Sequence, residues 1–135
     1  MRKLIIIMLF MSNTVFAEII NIGNKKLKYL LNQGIPIIDV RNKNEWEKSG
    51  VIHKSHLVSM LDNNGKYSIV NWYNKFSKIK LKNDSVILIC AVGGRSHYLA
   101  KIINHHNKNM RIYNVKNGIK NWIKNNNSVV KFNAN

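Results

Sequence analysis

The sequence contains a single cysteine, Cys90, a single proline and only six acidic residues among its 135 positions. One cysteine cannot form an intramolecular disulfide, so a disulfide-stapled scaffold is excluded and stability must come from packing. No stretch rich in proline, glycine or serine divides the chain, and its length suits one domain with a single hydrophobic core. The sequence therefore predicts one packed domain in which any thiol chemistry belongs to Cys90.

Long apolar runs are also missing, and the longest lies near the amino terminus. Arg2 and Lys3 form a short basic segment, residues 4–11 are wholly apolar, and small side chains stand at Val15 and Ala17. This pattern is typical of a signal peptide cleaved after Ala17, and the run falls short of the ~20 residues that span a bilayer. We expect residues 1–17 to be removed, and the mature chain to be exported, for example to a periplasm, without stable membrane insertion.

The scarcity of acidic residues leaves 22 lysines and arginines largely unbalanced, at a formal net charge of +16. Such a charge raises the question of a nucleic-acid partner. The basic residues are spread along the chain among many asparagines rather than massed in one segment. We therefore expect no nucleic-acid partner, and instead an attraction to small anions or anionic surfaces.

The most informative segment surrounds the cysteine. Residues 86–89 are β-branched or leucine, which is typical of a buried central strand, and apolar positions at helical spacing follow Ser96. Ser96 is predicted to be the N-cap of that helix. Between strand and helix, Gly93 and Gly94 allow left-handed backbone conformations that would turn several N–H groups toward the Cys90 sulfur.

This loop is suited to an anion. A free thiol with a pKa of about 8.5 is only a few per cent thiolate at neutral pH. A helix N-terminus contributes up to about 2 kcal/mol to an anion beside it, and loop amides add to this. Arg95 supplies a permanent positive charge. An inert core cysteine, the main alternative, needs neither the glycines nor the arginine.

The motif Cys-x-x-Gly-x-Arg-Ser between a strand and a helix resembles the active-site loop of rhodanese-type sulfurtransferases. The resemblance covers residues 30–126, with residues 18–29 as a lead-in and residues 127–135 as a tail. Further similar features are the strand end Asp39-Val40-Arg41, the pair Glu45-Trp46, the turn Gly50-Val51-Ile52, and Gly118 before a helix carrying Trp122. Asn117 stands where the family has a second glycine.

The order of predicted elements agrees with this resemblance. Helices are expected over residues 25–33, 43–48, 69–79, after Ser96 and over 118–124, and strands over residues 36–40, 57–59, 86–89 and 111–114. Alternating strands and helices indicate an α/β fold, with a parallel twisted sheet flanked by helices on both faces. The loop would lie at the carboxyl end of a central strand, where such sheets bind ligands.

The resemblance implies a single-domain, exported sulfurtransferase. Cys90 would attack a sulfane donor such as thiosulfate and become a persulfide, which cyanide, a small thiol or a partner protein's cysteine would discharge. Arg95 would assist catalysis by steadying the departing sulfite. The implied substrate-binding residues are Ala91, Val92, Gly93, Gly94 and Ser96, and the implied structural supports are Asp39, Arg41 and Glu45. Arg41 and Glu45 are close enough in sequence to pair, and we expect a monomer without metal or organic cofactor.

Other functions stay open on the sequence alone. The domain could be a non-catalytic sulfur carrier or protein-binding module, or a redox-responsive thiol that forms a mixed disulfide. Cysteine-dependent phosphatases resemble it but have a longer loop, whereas four residues separate Cys90 from Arg95 here. His105 and His106 are neighbours on a predicted helix and point in different directions, so they do not predict a metal site.

Overall fold

The structure of this protein is a computed structural model, and it describes residues 18–133. The predicted signal peptide, residues 1–17, lies outside this range. The strands are β1 (Ile19–Ile22), β2 (Ile37–Asp39), β3 (His56–Leu57), β4 (Ser85–Ile89) and β5 (Arg111–Val115). The helices are α1 (Asn24–Asn32), α2 (Lys43–Ser49), α3 (Ile69–Phe76), α4 (Gly94–His106) and α5 (Gly118–Lys124).

The five strands form one parallel sheet in the order β1-β5-β4-β2-β3. Strand β4 is central and buried along its whole length, because it is covered on both faces. Val86 and Leu88 pack with Trp72 of α3 and Leu99 of α4. The alternate residues of the strand point to the opposite core, which contains Leu27 of α1 together with Ile119 and Trp122 of α5. The predicted α/β fold is confirmed.

Strand β1 was not predicted. Its four residues lie in the segment that the sequence analysis assigned to a lead-in, yet they pair with β5, Ile19 beside Ile112 and Ile22 beside Val115. Three other elements are shorter than predicted: β2 covers only Ile37–Asp39, α3 ends at Phe76 rather than at residue 79, and β3 contains only His56 and Leu57. Strand β1 is an edge strand whose partner is distant in sequence, so local pattern alone could not identify it.

The segment after α5 returns to the domain. Val130 makes an antiparallel bridge with Val51, and the ring of Phe132 lies 5.6 Å from that of Trp46.

Among residues 18–133, no helix is long and apolar enough to cross a membrane.

Candidate active site

Cys90 directly follows the central strand and is almost completely buried. The chain turns sharply at Gly93, which has a φ of 101°. A Cβ atom on Gly93 would lie 2.1 Å from the carbonyl oxygen of Lys116, so the turn accepts only glycine. Gly94 is already the first residue of α4, and left-handed backbone occurs only at Gly93 of the two. The prediction was therefore right for one glycine and wrong for the other.

The prediction that Ser96 is the N-cap of α4 is wrong, because the left-handed Gly93 occupies that position and the helix begins at Gly94, three residues earlier than predicted. Ser96 is instead fully buried in the first turn. Its hydroxyl lies 3.3 Å from the Cys90 sulfur, 3.2 Å from the Gly93 carbonyl oxygen and 2.6 Å from Oδ1 of Asn114. The side chain that was expected to start the helix thus faces the sulfur.

The Cys90 sulfur is surrounded by hydrogen-bond donors. The backbone N–H of Gly93 donates to it over 3.1 Å. Burial raises the pKa of the Cys90 thiol, but hydrogen bonds from the Ser96 hydroxyl and from the backbone of Ser96, Val92 and Gly93 lower it by more, so the pKa lies below its ordinary value. One amide of the predicted set, that of Gly93, thus donates to the sulfur, and the lowered pKa means that the site favours a thiolate.

Arg95 makes a two-point ion pair with Glu45. Its Nη1 donates to Oε2 of Glu45 over 2.8 Å and its Nη2 donates to Oε1 over 2.6 Å. The Oε2 atom also accepts from the backbone N–H of Asn42 in a capping box that starts α2. The hydrogen bond from Arg95 lowers the pKa of Glu45, against the effect of burial, and the same hydrogen bond raises the pKa of Arg95.

The predicted ion pair between Arg41 and Glu45 is wrong, although Nη1 of Arg41 donates to the backbone carbonyl oxygen of Glu45 over 3.3 Å. The carboxylate partner of Arg41 is Asp39, at 2.7 Å, and both side chains are buried. Arg41 also donates to the carbonyl oxygen of Gly50 and to the hydroxyl of Ser49. This pair ties the end of β2 to α2, and its hydrogen bonds do not reach the Cys90 loop. Glu45 therefore supports the loop directly, whereas Asp39 and Arg41 support the scaffold around it.

A second chain segment holds the loop from the side of α5. The N–H of Ile119 donates to the carbonyl oxygen of Cys90 over 2.9 Å, and the N–H of Lys120 donates to that of Ala91 over 3.1 Å. A Cβ atom on Gly118 would lie 2.3 Å from the Ala91 oxygen, so this contact also needs glycine. The resemblance pointed to Gly118 without giving this reason. Asn114 was missed, although a polar residue in the apolar strand β5 was a usable signal.

The rest of the described chain offers no competing catalytic centre. Residues 18–133 contain no group of three or more histidine, cysteine or acidic side chains that could hold a metal ion, and His105 and His106 are exposed near the end of α4. A cavity of about 700 Å³ is lined by Pro36, His53 and Lys82 among others, none of them from the Cys90 loop. Its lining includes histidine, lysine and serine side chains but no cysteine or acidic residue.

Comparison with known proteins identifies the family. The family model for the rhodanese-like domain matches residues 23–125, and this chain belongs to that family. No curated protein matches the sequence.

Solved structures with the same fold come from diverse organisms. A rhodanese-related protein from Thermoplasma volcanium is 24% identical, with a TM-score of 0.63 over 82% of this chain and 97% of the other. The polysulfide-sulfur transferase homodimer from Wolinella succinogenes is 19% identical, with a TM-score of 0.63 over 84% and 80%. A thiosulfate sulfurtransferase from Pseudomonas aeruginosa is 15% identical, with a TM-score of 0.63 over 85% of this chain and 21% of that one.

Proposed function

We propose that this protein is a sulfurtransferase that carries one sulfane sulfur on Cys90 as a persulfide. The observation that carries the proposal is the sulfur's surroundings: a lowered thiol pKa, an N–H from Gly93 at 3.1 Å and a hydroxyl from Ser96 at 3.3 Å. A backbone N–H fixed toward the sulfur stabilises an anion there before any substrate arrives, and the hydroxyl within reach can add a second donor. Membership of a family that includes sulfurtransferases supports the same reaction class.

In the first half-reaction, the Cys90 thiolate attacks the outer sulfur of a donor such as thiosulfate. A bond forms between the Cys90 sulfur and that outer sulfur, while the sulfur–sulfur bond of thiosulfate breaks and its electron pair leaves with sulfite. The products are the Cys90 persulfide anion and sulfite, so no oxidant or reductant is consumed.

Arg95 is suited to assist the leaving group. A guanidinium has five N–H donors, and two of them are used on Glu45, which leaves three for an oxyanion. Its side chain remains 29% exposed, so a small anion in solution can reach it. Because the pair with Glu45 restrains the guanidinium, little side-chain entropy is lost when sulfite is held.

In the second half-reaction, a thiophilic acceptor removes the outer sulfur. With cyanide, the carbon attacks that sulfur, the persulfide bond breaks, and thiocyanate and the Cys90 thiolate are released. Val92, at the centre of the loop, is 62% exposed, which leaves the loop accessible to a larger acceptor. A partner protein's cysteine is therefore a second class of acceptor that we propose.

The test is intact-mass analysis of the protein after incubation with thiosulfate, with Cys90→Ala as the control. We expect a gain of about 32 Da, the mass of one sulfur atom, on the wild type alone, reversed by cyanide with release of thiocyanate. An unmodified wild type after thiosulfate, but a persulfide after incubation with a persulfidated donor protein, would favour the carrier role. An unmodified protein with both donors would contradict the proposal.

We further propose that the domain acts after export, as a monomer. The support is the basic and apolar pattern of residues 1–17, which ends in Ala17. Mass analysis of the protein recovered from expressing cells would show a chain that begins at Glu18 if cleavage occurs there. Recovery of the uncleaved chain from the cytoplasm would contradict export. A stable dimer in light scattering would contradict the monomeric state.

A further inference from the structure

A row of polar side chains leads from the surface to the reactive sulfur. Asn21 on edge strand β1 and Asn114 on β5 are register partners, and Nδ2 of Asn114 donates to Oδ1 of Asn21 over 2.9 Å. On its other side, Oδ1 of Asn114 accepts from the Ser96 hydroxyl over 2.6 Å, and that hydroxyl lies 3.3 Å from the Cys90 sulfur. Asn114 is buried, whereas Asn21 is exposed.

The Ser96 hydroxyl has one proton but three acceptors within reach. These are the Cys90 sulfur, the Gly93 carbonyl oxygen and Oδ1 of Asn114. A hydroxyl donates one hydrogen bond and accepts through its lone pairs. The shortest contact is the one to Asn114, so in this arrangement the proton points away from the sulfur.

This position of the Ser96 proton suits a neutral sulfur, whereas the N–H of Gly93 already favours a charged one. Hydrogen bonds to an ionised acceptor are roughly twice as strong as those between neutral groups. A thiolate or persulfide anion on Cys90 therefore draws the Ser96 proton toward itself. Two oxygens, one on Ser96 and one on Asn114, would then face each other at 2.6 Å without a proton between them.

We propose that Asn114 is a positioning residue whose side-chain amide turns over when the Cys90 sulfur becomes an anion, so that Nδ2 donates to Ser96 and Ser96 donates to the sulfur. Asn21 turns with it, since its own NH₂ group must then donate to Oδ1 of Asn114. An amide is suited to this because it carries both donor and acceptor. The proposal deepens the proposed function, from which it takes the persulfide as one of the charged states.

The exposure of Asn21 makes the turn feasible. Its side chain faces solvent, so its amide can rotate without displacing packed neighbours. Arg95 on α4 is close enough to Cys90 for their charges to interact, and it is paired with Glu45 on α2. Neither Arg95 nor Glu45 hydrogen-bonds to Asn114 or Asn21. Their effect on the charge of the sulfur can therefore be measured separately from that of the polar side chains Asn21, Asn114 and Ser96.

The decisive substitution is Asn21→Asp, on the surface. A carboxylate only accepts, so it would keep Nδ2 of Asn114 directed at position 21 and Oδ1 directed at Ser96. The Ser96 hydroxyl would then keep donating to Oδ1 of Asn114, and the anionic sulfur would lose a donor. We expect the ratio of thiolate to thiol at a given pH to fall on the order of threefold to tenfold.

The measurement is the ultraviolet absorbance of the thiolate as a function of pH, after subtraction of the titration of Cys90→Ala. Because Cys90 is the only cysteine in the sequence, the remaining signal belongs to it alone. The same substitution is made in a Ser96→Ala background. Asn109→Asp, in the exposed turn before β5, is the control for the added charge.

We expect Asn21→Asp to lower the ratio of thiolate to thiol, and we expect this effect to disappear in the Ser96→Ala background. That result would support a relay, meaning the coupled turning of Asn21, Asn114 and Ser96 toward the sulfur. A change that persists without Ser96 would show a direct field from the new carboxylate and overturn the relay, as would an equal change in Asn109→Asp. No change in Asn21→Asp would also overturn it. Since the titration uses no sulfur donor, a protein that forms no persulfide would still give a result here.

Discussion

Arg95 and Glu45 lie 50 positions apart in the sequence, yet their side chains meet through two hydrogen bonds of 2.8 and 2.6 Å. Glu45 begins α2 through its capping box with Asn42, and Arg95 lies in the first turn of α4, directly after the Cys90 loop. The pair thus connects the reactive loop to α2, the helix that follows β2 in the chain. It also restrains the guanidinium that we propose receives the leaving group.

Glu45→Gln is expected to slow persulfide formation from thiosulfate by on the order of tenfold, because a neutral amide holds the Arg95 guanidinium less firmly. The rate is measured by stopping the reaction at intervals and determining the persulfidated fraction by mass. The matched control is Glu47→Gln, since Glu47 pairs with Lys43 at 3.7 Å on the exposed face of the same helix. Equal rates in the two variants would contradict the role given to the pair.

The stability of the fold is expected to depend on the ionisation of Cys90. The folded protein has a lowered Cys90 pKa, whereas in the unfolded chain the pKa is about 8.5. The unfolded state therefore binds more protons between the two values, so the contribution of Cys90 grows as the pH rises through this window. It is fully present above the unfolded pKa and is lost as the pH falls through the folded one.

Urea unfolding of the wild type and of Cys90→Ala at a series of pH values measures this contribution. The difference between their free energies of unfolding should increase in favour of the wild type from neutral to mildly alkaline pH. A difference that stays constant or decreases over this range would mean that the folded site does not favour the thiolate.

Asp39→Asn is expected to be among the most destabilising single changes in the chain. It would leave the Arg41 guanidinium, which is 2% exposed, buried without a compensating charge, at a cost of about 3–5 kcal/mol. The comparison is Glu47→Gln, which removes an exposed pair worth about 0–1 kcal/mol. Both values come from urea unfolding, and similar losses for the two variants would show that the buried pair is not a main support.

Gly93→Ala and Gly118→Ala should both disrupt the loop, because the added methyl groups would meet backbone oxygens at 2.1 and 2.3 Å. Each also has a positive φ, which alone costs about 1–2 kcal/mol for another residue. We expect lower stability and loss of persulfide formation. Gly94→Ala, with no atom within 4 Å of the added Cβ, is the neighbouring control and should retain stability. Retained persulfide formation in either clashing variant would contradict the packing argument.

The sequence by itself determined the element that carries the chemistry. The run from Val86 to Ile89, then Cys90, the glycines and the apolar spacing of α4 are contiguous, and strand and helix patterns act over such short distances. The order of strands and helices likewise gave the parallel sheet and its covered faces. The capping box of Asn42 and Glu45 is likewise local, since its two residues stand three positions apart in the sequence.

Only the tertiary structure decided which side chains surround the sulfur. Glu45 reaches Arg95 because the sheet places the ends of β2 and β4 side by side, and local spacing had instead suggested Arg41 as its partner. Asn21 and Asn114 meet 93 positions apart because β1 pairs with β5. The register and proximity of distant strands decide which polar groups pair with each other. Register and proximity depend in turn on the packing of the whole core rather than on any short segment.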